Sequence, residues 1–451
     1  MKTLFVTMFE GVEAKNILRT GIIDKILHHT QDVHIVFFVK NQERADHYAR
    51  EFSNPRISYE VVTPYAPQGI HRVFSSLKFN FLQTTTTDLR AQMVAEDRGQ
   101  FYYHFSRILH RVLSRPLFIS IFRAVDKMLS RNPAFDSYFL RYKPDLILLA
   151  NLFEDFEIDF LKSAQRHGVK SVGLINSWDR ITARCILRAL PEKVIVFNDT
   201  LCDEIITHNN VKREHVFVSG IPQYDAYFSP ASVSREEFLT SIGVDPVKKL
   251  VVYSPIGGMF SNSDWDIMDH LHELHMAGKF GNEVEILVRF SPNDFIKEAD
   301  LKKRPYLLYQ IPGTRFSSVR SSDWDMNGRE LEELRNTLHH MSLIICYASS
   351  ISVDAAVFNK PVINIDFEVK DNGRLSKSPT LFYGMAHYEK ALAYGGIQLV
   401  KNTEELVTWV NAYLKNPHIH EEERKRLAKA QCQYLDGQSA ERIAQFITSQ
   451  L

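Results

Sequence analysis

The stretch Leu343-Ile344-Ile345-Cys346-Tyr347-Ala348-Ser349-Ser350-Ile351-Ser352-Val353-Asp354-Ala355-Ala356-Val357-Phe358-Asn359-Lys360-Pro361-Val362-Ile363-Asn364-Ile365 decides the fold. An apolar β-branched run leads into a turn of small residues, a helix-forming segment follows, and a second β-branched run begins after Pro361. Strand, turn, helix and strand in that order make a βαβ unit, whose crossover leaves its strands parallel. Small hydroxyl residues at the helix start leave backbone N–H groups accessible, so an anionic diphosphate can sit on the positive end of the helix dipole at Ser349 and Ser350. Asp354 lies one turn further on the same face, where a carboxylate accepts hydrogen bonds from ribose or sugar hydroxyls.

Outward from this unit the same alternation fills the chain twice, the pattern of parallel sheets covered by helices on both faces. The first half predicts strands at 3–8, 34–39, 57–62, 145–150, 171–175, 193–197 and 215–219. The second predicts them at 250–254, 285–289, 306–310, 343–347, 361–365 and 397–400. A loop at Phe228-Ser229-Pro230-Ala231-Ser232-Val233 precedes a helix start in which Ser234 and Glu237 have capping-box spacing, so domains are expected over 1–230 and 231–451. The charged, then amphipathic tail from Glu421 is expected to cross back onto the first domain.

With 451 residues, 45% hydrophobic and 24% charged, each half can bury its own core. Lysine plus arginine (54) equal aspartate plus glutamate (54), so overall charge gives no reason to expect a nucleic-acid partner. Cys185, Cys202, Cys346 and Cys432 are widely separated and form no CxxC pair, which fits a reducing, cytoplasmic setting better than a disulfide framework or a zinc site. The apolar start at Met1 is interrupted by Glu10 and Glu13 and reads as a strand; no run approaches the roughly 20 apolar residues that cross a bilayer.

One segment breaks the rhythm. Residues 71–143 offer no strand and look helical and basic, with twelve Lys/Arg against five Asp/Glu. Around Phe101-Tyr102-Tyr103-His104-Phe105-Ser106-Arg107-Ile108 apolar and basic groups interleave, as expected either of an insertion packed on its own domain or of peripheral contact with the inner face of a membrane.

Two further turns belong to the same expected rim as Ser350. Ser254-Pro255-Ile256-Gly257-Gly258 follows the first strand of the second half and would let phosphates approach bare backbone. Arg289 ends the next strand, where a guanidinium suits a phosphate bidentately. Ile311-Pro312-Gly313 follows a third, and amides around Pro312 and Gly313 are expected to wall a base pocket for uracil or cytosine. Asp264-Trp265-Asp266 and Asp323-Trp324-Asp325 imitate a DxD metal motif, yet neither follows a strand, and both read as tryptophan-anchored polar loops.

Four stretches carry a resemblance: Asn176-Ser177-Trp178-Asp179; Gly220-Ile221-Pro222-Gln223-Tyr224-Asp225; Ser349 to Ala356 with Lys360-Pro361-Val362-Ile363; and Asp436-Gly437-Gln438-Ser439-Ala440-Glu441-Arg442-Ile443. In these the chain resembles the GT-B glycosyltransferase and glycogen phosphorylase superfamily, in particular bacterial surface-carbohydrate transferases, CDP-glycerol glycerophosphotransferases and UDP-N-acetylglucosamine 2-epimerases. The resemblance implies an α/β fold of two Rossmann-like domains facing across a cleft, with the helical insertion in the first. It implies a nucleotide-sugar donor on the second domain, a saccharide or lipid-linked acceptor on the first, and no cofactor or bound metal. Ser350 and Asp354 stand where that superfamily commonly has Gly and Glu.

A glycosyltransferase needs a base for the acceptor if configuration inverts. Glu10, directly after the first strand, is the preferred candidate; Glu13, which falls where a helix begins, Asp179, which precedes another helix, and His104 are alternatives. Asn16 and Arg19 are placed to orient an acceptor or phosphate, and Trp178 to stack on a sugar, although helix-face and core positions account for them equally well. Transfer of a phospho-polyol from a CDP-linked donor, epimerisation of a UDP-sugar, and a catalytically inactive scaffold are the competing readings.

Overall fold

The computed structural model describes residues 1–316, 324–370 and 373–451. It divides into two compact units, Met1–Asp225 with Cys432–Leu451, and Ala226–Gln431. Every strand expected from the sequence forms, with ends displaced by no more than two residues.

In the first unit β1 (Lys2–Thr7), β2 (Val33–Val39), β3 (Ile57–Val61), β4 (Leu146–Leu149), β5 (Lys170–Leu174), β6 (Lys193–Val196) and β7 (Val216–Val218) make one parallel sheet in the order β3-β2-β1-β4-β5-β6-β7. Its centre is dry because the β-branched and aromatic side chains of β1 and β2 point into covering helices on both faces; Leu4, Phe5, Val6 and Val36 to Val39 are fully buried. Helix Ile22–His29 turns Ile22, Ile23, Ile26 and Leu27 inward. The last helix, Ser439–Gln450, returns to pack against it through a face containing Ala440, Ile443, Ala444 and Ile447. Glu441 of that helix pairs with Lys25 at 3.2 Å and His29 at 2.7 Å.

Two of the four stretches that carry the family resemblance meet at the start of this helix. The Asp225 carboxylate accepts the amides of Ser439 (3.0 Å) and Ala440 (2.7 Å), satisfying two N–H groups that the helix itself cannot. Gly220, at φ +86°, is required there: a Cβ would lie 2.4 Å from Ser439 Oγ.

Between β3 and β4 the chain is helical, with helices Gly69–Leu77, Thr85–Arg98, Gln100–Leu113, Pro116–Leu129 and Asp136–Tyr142. A buried ion cluster fastens this insertion to the sheet. Asp126, from helix Pro116–Leu129, accepts Arg188 Nε (2.9 Å), Arg188 Nη2 (2.7 Å) and Lys162 Nζ (2.8 Å). Arg188 also donates to Asp155 (2.8 Å), which takes Lys78 Nζ at 3.0 Å. Burial alone would push the Asp126 carboxyl up, but the bonds and charges of Arg188 and Lys162 hold it below the usual carboxylate range. Phe74, Phe81, Leu82, Ile119, Phe122 and Ile186 form an apolar cluster with the same helices.

In the second unit β8 (Lys249–Ser254), β9 (Val284–Arg289) and β10 (Leu308–Gln310) are followed by a two-stranded antiparallel ribbon of β11 (Thr314–Arg315) and β12 (Trp324–Asp325), then by β13 (Leu343–Cys346), β14 (Val362–Ile365) and β15 (Gln398–Val400). The sheet is parallel in the order β10-β9-β8-β13-β14-β15. Val251, Tyr253, Leu343, Ile345 and Ile363 lie in its core. Ser234 and Glu237 make reciprocal cap bonds at the start of helix Arg235–Ser241. The ribbon was not expected, because strands of two residues leave no periodicity to read. Asp323 lies outside the described residues.

Replacing Arg188 by Ala leaves Asp126 and Asp155 buried without their guanidinium. The expected loss is about 3–5 kcal/mol of stability, to be measured by urea unfolding followed through tyrosine and tryptophan fluorescence.

Candidate functional site

Strand order in the second sheet reverses between β8 and β13, so the loops after these two strands flank a crevice at the carboxyl edge, the place where open α/β sheets receive ligands. The two loops start level, because Ser254 and Cys346 are register partners.

On the β13 side, Ser349 is half-buried and Ser350 exposed, immediately ahead of helix Ile351–Val357. Ser349 Oγ accepts the Ile351 amide at 3.5 Å, and the Ser350 carbonyl accepts the amides of Val353 and Asp354. The turn is held from beneath by a buried polar network. Asn364 Nδ2 donates to the carbonyls of Cys346 and Tyr347, both at 3.2 Å, while the Tyr388 hydroxyl donates to Asn364 Oδ1 (2.6 Å) and lies 2.9 Å from Ser352 Oγ. Asn364 and Tyr388 escaped the sequence reading because their value lies only in what they touch.

On the β8 side the structure corrects the expectation of bare backbone. Asp264 opens helix Asp264–Met276 and tucks its carboxylate under the turn, where it accepts the amides of Ile256 (3.1 Å) and Gly257 (2.8 Å) and the hydroxyl of Tyr253 (2.9 Å). Gly258 N–H goes to Asp294 at 3.1 Å. Ser254 is buried. Burial pushes the Asp264 carboxyl up to about 6 against the pull of these bonds. Gly257 sits at φ +96°, with Asp294 3.2 Å from where a Cβ would be. The Asp264-Trp265-Asp266 sequence is therefore a latch: Asp264 holds the turn, Trp265 stacks beneath the Arg304 guanidinium at 4.7 Å, and Asp266 pairs with Lys370.

Three more expectations change. Arg289 does end β9, but its guanidinium is buried; Nη1 donates to Gln310 (2.6 Å) and Glu333 (3.4 Å), and Nη2 is a buried donor with no partner among the described residues. Gly313 N–H is taken by Glu330 at 2.8 Å and Pro312, which is buried, has no N–H, so neither offers an amide to a base. Asp354 accepts the Tyr227 hydroxyl at 2.7 Å, so a ribose would have to displace or share that bond.

The first sheet has its own reversal, between β1 and β4. Glu13 bends back to accept the amides of Phe9 (2.5 Å) and Glu10 (3.0 Å), and Glu157 accepts the Asn151 amide at 2.8 Å. Burial, then the neighbouring charge of Glu10, pushes the Glu13 carboxyl up to about 8; Glu157 is driven well above the carboxylate range by burial and by Glu13. Glu13 thus serves the backbone as a capping group. Glu10 is half-buried beside it, its carboxyl raised by burial and by Glu154 and drawn back by Arg180, Lys40 and Arg184. Asn16 donates to the Asn176 carbonyl at 3.2 Å. Asp179 accepts the Ser177 hydroxyl at 2.5 Å, Arg19 pairs with Glu51 at 2.7 Å, Trp178 is half-buried and His104 is exposed on the insertion.

Two parallel α/β units, each with one point at which its strand order reverses, define a GT-B-type protein. The family model described as CDP-Glycerol:Poly(glycerophosphate) glycerophosphotransferase matches residues 192–449, more than half of the chain, and the protein belongs to that family. Among solved structures, UDP-GlcNAc 2-epimerase from Neisseria meningitidis bound to UDP-GlcNAc is similar at 13% identity and a TM-score of 0.58, covering 100% of both chains. The UDP-GlcNAc 2-epimerase from Methanocaldococcus jannaschii matches at 14% identity and 0.55, again over 100% of both. The wall teichoic acid polymerase TagF, soaked with CDPG, matches at 12% identity and 0.52, over 99% of this chain and 88% of that one. At these identities the likeness is one of fold. No curated protein matches the sequence.

Because Glu13 keeps a proton in the folded chain up to about pH 8 but loses it near its ordinary value of 4.5 when unfolded, its contribution to stability is complete below pH 4.5 and is lost as pH rises between the two. The expected slope approaches about 1.4 kcal/mol per pH unit. Glu13→Gln, which retains an oxygen for the Phe9 and Glu10 amides, should flatten it in pH-dependent thermal unfolding.

Proposed function

We propose that this protein transfers a glycerophosphate, or a closely related phospho-polyol, from a cytidine-diphosphate-activated donor to a hydroxyl of a growing polymer. The observation that carries this reading is the family match, which spans the whole second unit and with it the crevice flanked by Ser350. In such a transfer the acceptor oxygen forms a bond to the outer phosphorus of the donor, the bond from that phosphorus to the bridging oxygen breaks, and cytidine monophosphate departs with the electron pair. The acceptor proton must go to a base.

We assign the donor's phosphates to the Ser349–Ser350 turn, where exposed Ser350 stands at the positive end of helix Ile351–Val357. The Asn364–Tyr388 network keeps that turn in place before the donor arrives. We assign the base to Glu10, because Glu13 takes two backbone amides and Asp179 the Ser177 hydroxyl, whereas Glu10 is half-buried at the end of the loop after β1, with its carboxyl raised by burial and by Glu154. A sugar nucleotide would use the same turn, and the leaving group separates the two reactions: phospho-polyol transfer releases the nucleoside monophosphate, glycosyl transfer the diphosphate.

Incubation with a panel of CDP-activated polyols and UDP- and GDP-sugars, with the released nucleotide identified by chromatography, is expected to yield cytidine monophosphate from a CDP-polyol. Release of a nucleoside diphosphate instead would return the reading to a glycosyltransferase, and no release or thermal shift with any donor would overturn donor binding. Glu10→Gln should lower kcat by about 100-fold or more with little change in donor Kd. Ser350→Glu, which sets a negative charge against the phosphates, should weaken donor binding about tenfold in calorimetry.

A further inference from the structure

We infer that Arg289 and Gln310 read the base of the donor and select cytosine. The inference rests on the donor reading above and adds the means by which the base is told apart. Arg289 and Gln310 are register partners at the last positions of β9 and β10, so their side chains leave the same face of the sheet. Helix Gly328–His340 meets them there: Glu333 accepts Arg289 Nη1 at 3.4 Å, and the Thr337 hydroxyl donates to Gln310 Oε1 at 3.3 Å. Arg289 Nη1 also donates to Gln310 Oε1 at 2.6 Å. A guanidinium offers donors only, so the Gln310 amide is fixed with Oε1 towards Arg289 and its NH2 group directed elsewhere. Two buried donors are left over, Arg289 Nη2 and Gln310 Nε2, with no acceptor among the described residues. Arg289 as a whole is only 3% exposed. A buried donor without a partner is costly, and two of them on paired positions point to a ligand that accepts.

A groove of about 720 Å³ leads to these donors; Phe238, Leu308, Tyr309, Gln310, Arg329 and Glu333 are among the residues that line it. Arg289 stands directly behind Gln310 and Glu333 and bonds both. Neighbouring strands lie about 4.8 Å apart, so β9 and β10 are about 10 and 14 Å from β13, whose following turn takes the phosphates. That is the span of an extended nucleoside diphosphate from its outer phosphate to the edge of its base. Two donors alone would also suit a phosphate or a carboxylate, but Glu237, Glu332 and Glu333 line the groove with Arg329, and three carboxylates disfavour an anion. The fitting ligand is a neutral group that accepts at two atoms and donates at a third. The pairing edge of cytosine does this: O2 and N3 accept from Arg289 Nη2 and Gln310 Nε2, and the 4-amino group donates to Glu333. Uracil reverses two of the three, setting its N3–H against an amide donor and its O4 against a carboxylate, which leaves buried polar groups facing their own kind.

The test is a calorimetric titration of the full-length protein with cytidine monophosphate and with uridine monophosphate, which needs no turnover. The cytidine nucleotide is expected to bind at least about tenfold tighter. Gln310→Glu keeps the oxygen that Arg289 and Thr337 use and turns the leftover donor into an acceptor, so the ratio should fall about tenfold or more towards uridine. Glu333→Gln, at a side chain 38% exposed, gives O4 an N–H and should raise affinity for the uridine nucleotide. Melting temperatures confirm that both variants fold. Equal affinity of the wild-type chain for the two nucleotides, or an unchanged ratio in both folded variants, would overturn the base assignment and leave phospho-polyol transfer standing. Binding of neither nucleotide would remove the donor reading itself, and this inference with it.

Discussion

A parallel sheet sends the carboxyl end of every strand to the same edge, and each strand reaches its neighbour only after the chain has crossed back over a face. Both units obey this constraint, and in both the winding starts at the first strand, runs outward one way, then returns to run outward the other way. The return leaves β1 beside β4 and β8 beside β13 with no crossover covering the gap between them. Backbone groups in the loops at that gap have no strand to bond to, so side chains must satisfy them.

Carboxylates do so in both sheets. Asp264 and Asp294 hold the turn after β8, and Glu13 and Glu157 hold the loops after β1 and β4. Burial raises the carboxyls of Asp264, Glu13 and Glu157 above their ordinary range. The arrangement separates two tasks that look alike in the sequence. The buried acids shape the crevices, and the groups next to them, Glu10 and Ser350, remain accessible.

The fold was legible because its signals are local. Runs such as Leu343 to Cys346 announce themselves within a few residues, and so does the Ser234–Glu237 cap. The polarity of the Ser349–Ser350 turn was legible for the same reason. What the amides of a turn bond to was not: Gly258 is answered from Asp294 and Gly313 from Glu330, on elements that only the tertiary fold brings near. The position of Arg289 at a strand end follows from the apolar β-branched run it closes, but its burial depends on Gln310 and Glu333 from elsewhere in the chain. Glycine-rich turns read as open to phosphate until their partners are known, and here a carboxylate of the protein already occupies the place an anion would take.

The return of the last helix to the first unit has a consequence for how the protein is made. The second unit is continuous in the chain and is fully synthesised while helix Ile22–His29 still lacks the apolar surface of Ala440, Ile443 and Ile447, and while Asp225 still lacks the amides it caps. The half that emerges first from the ribosome is therefore the half that finishes last. Until helix Ser439–Gln450 clears the exit tunnel, part of its core stands open to chaperones, to proteases and to other nascent chains.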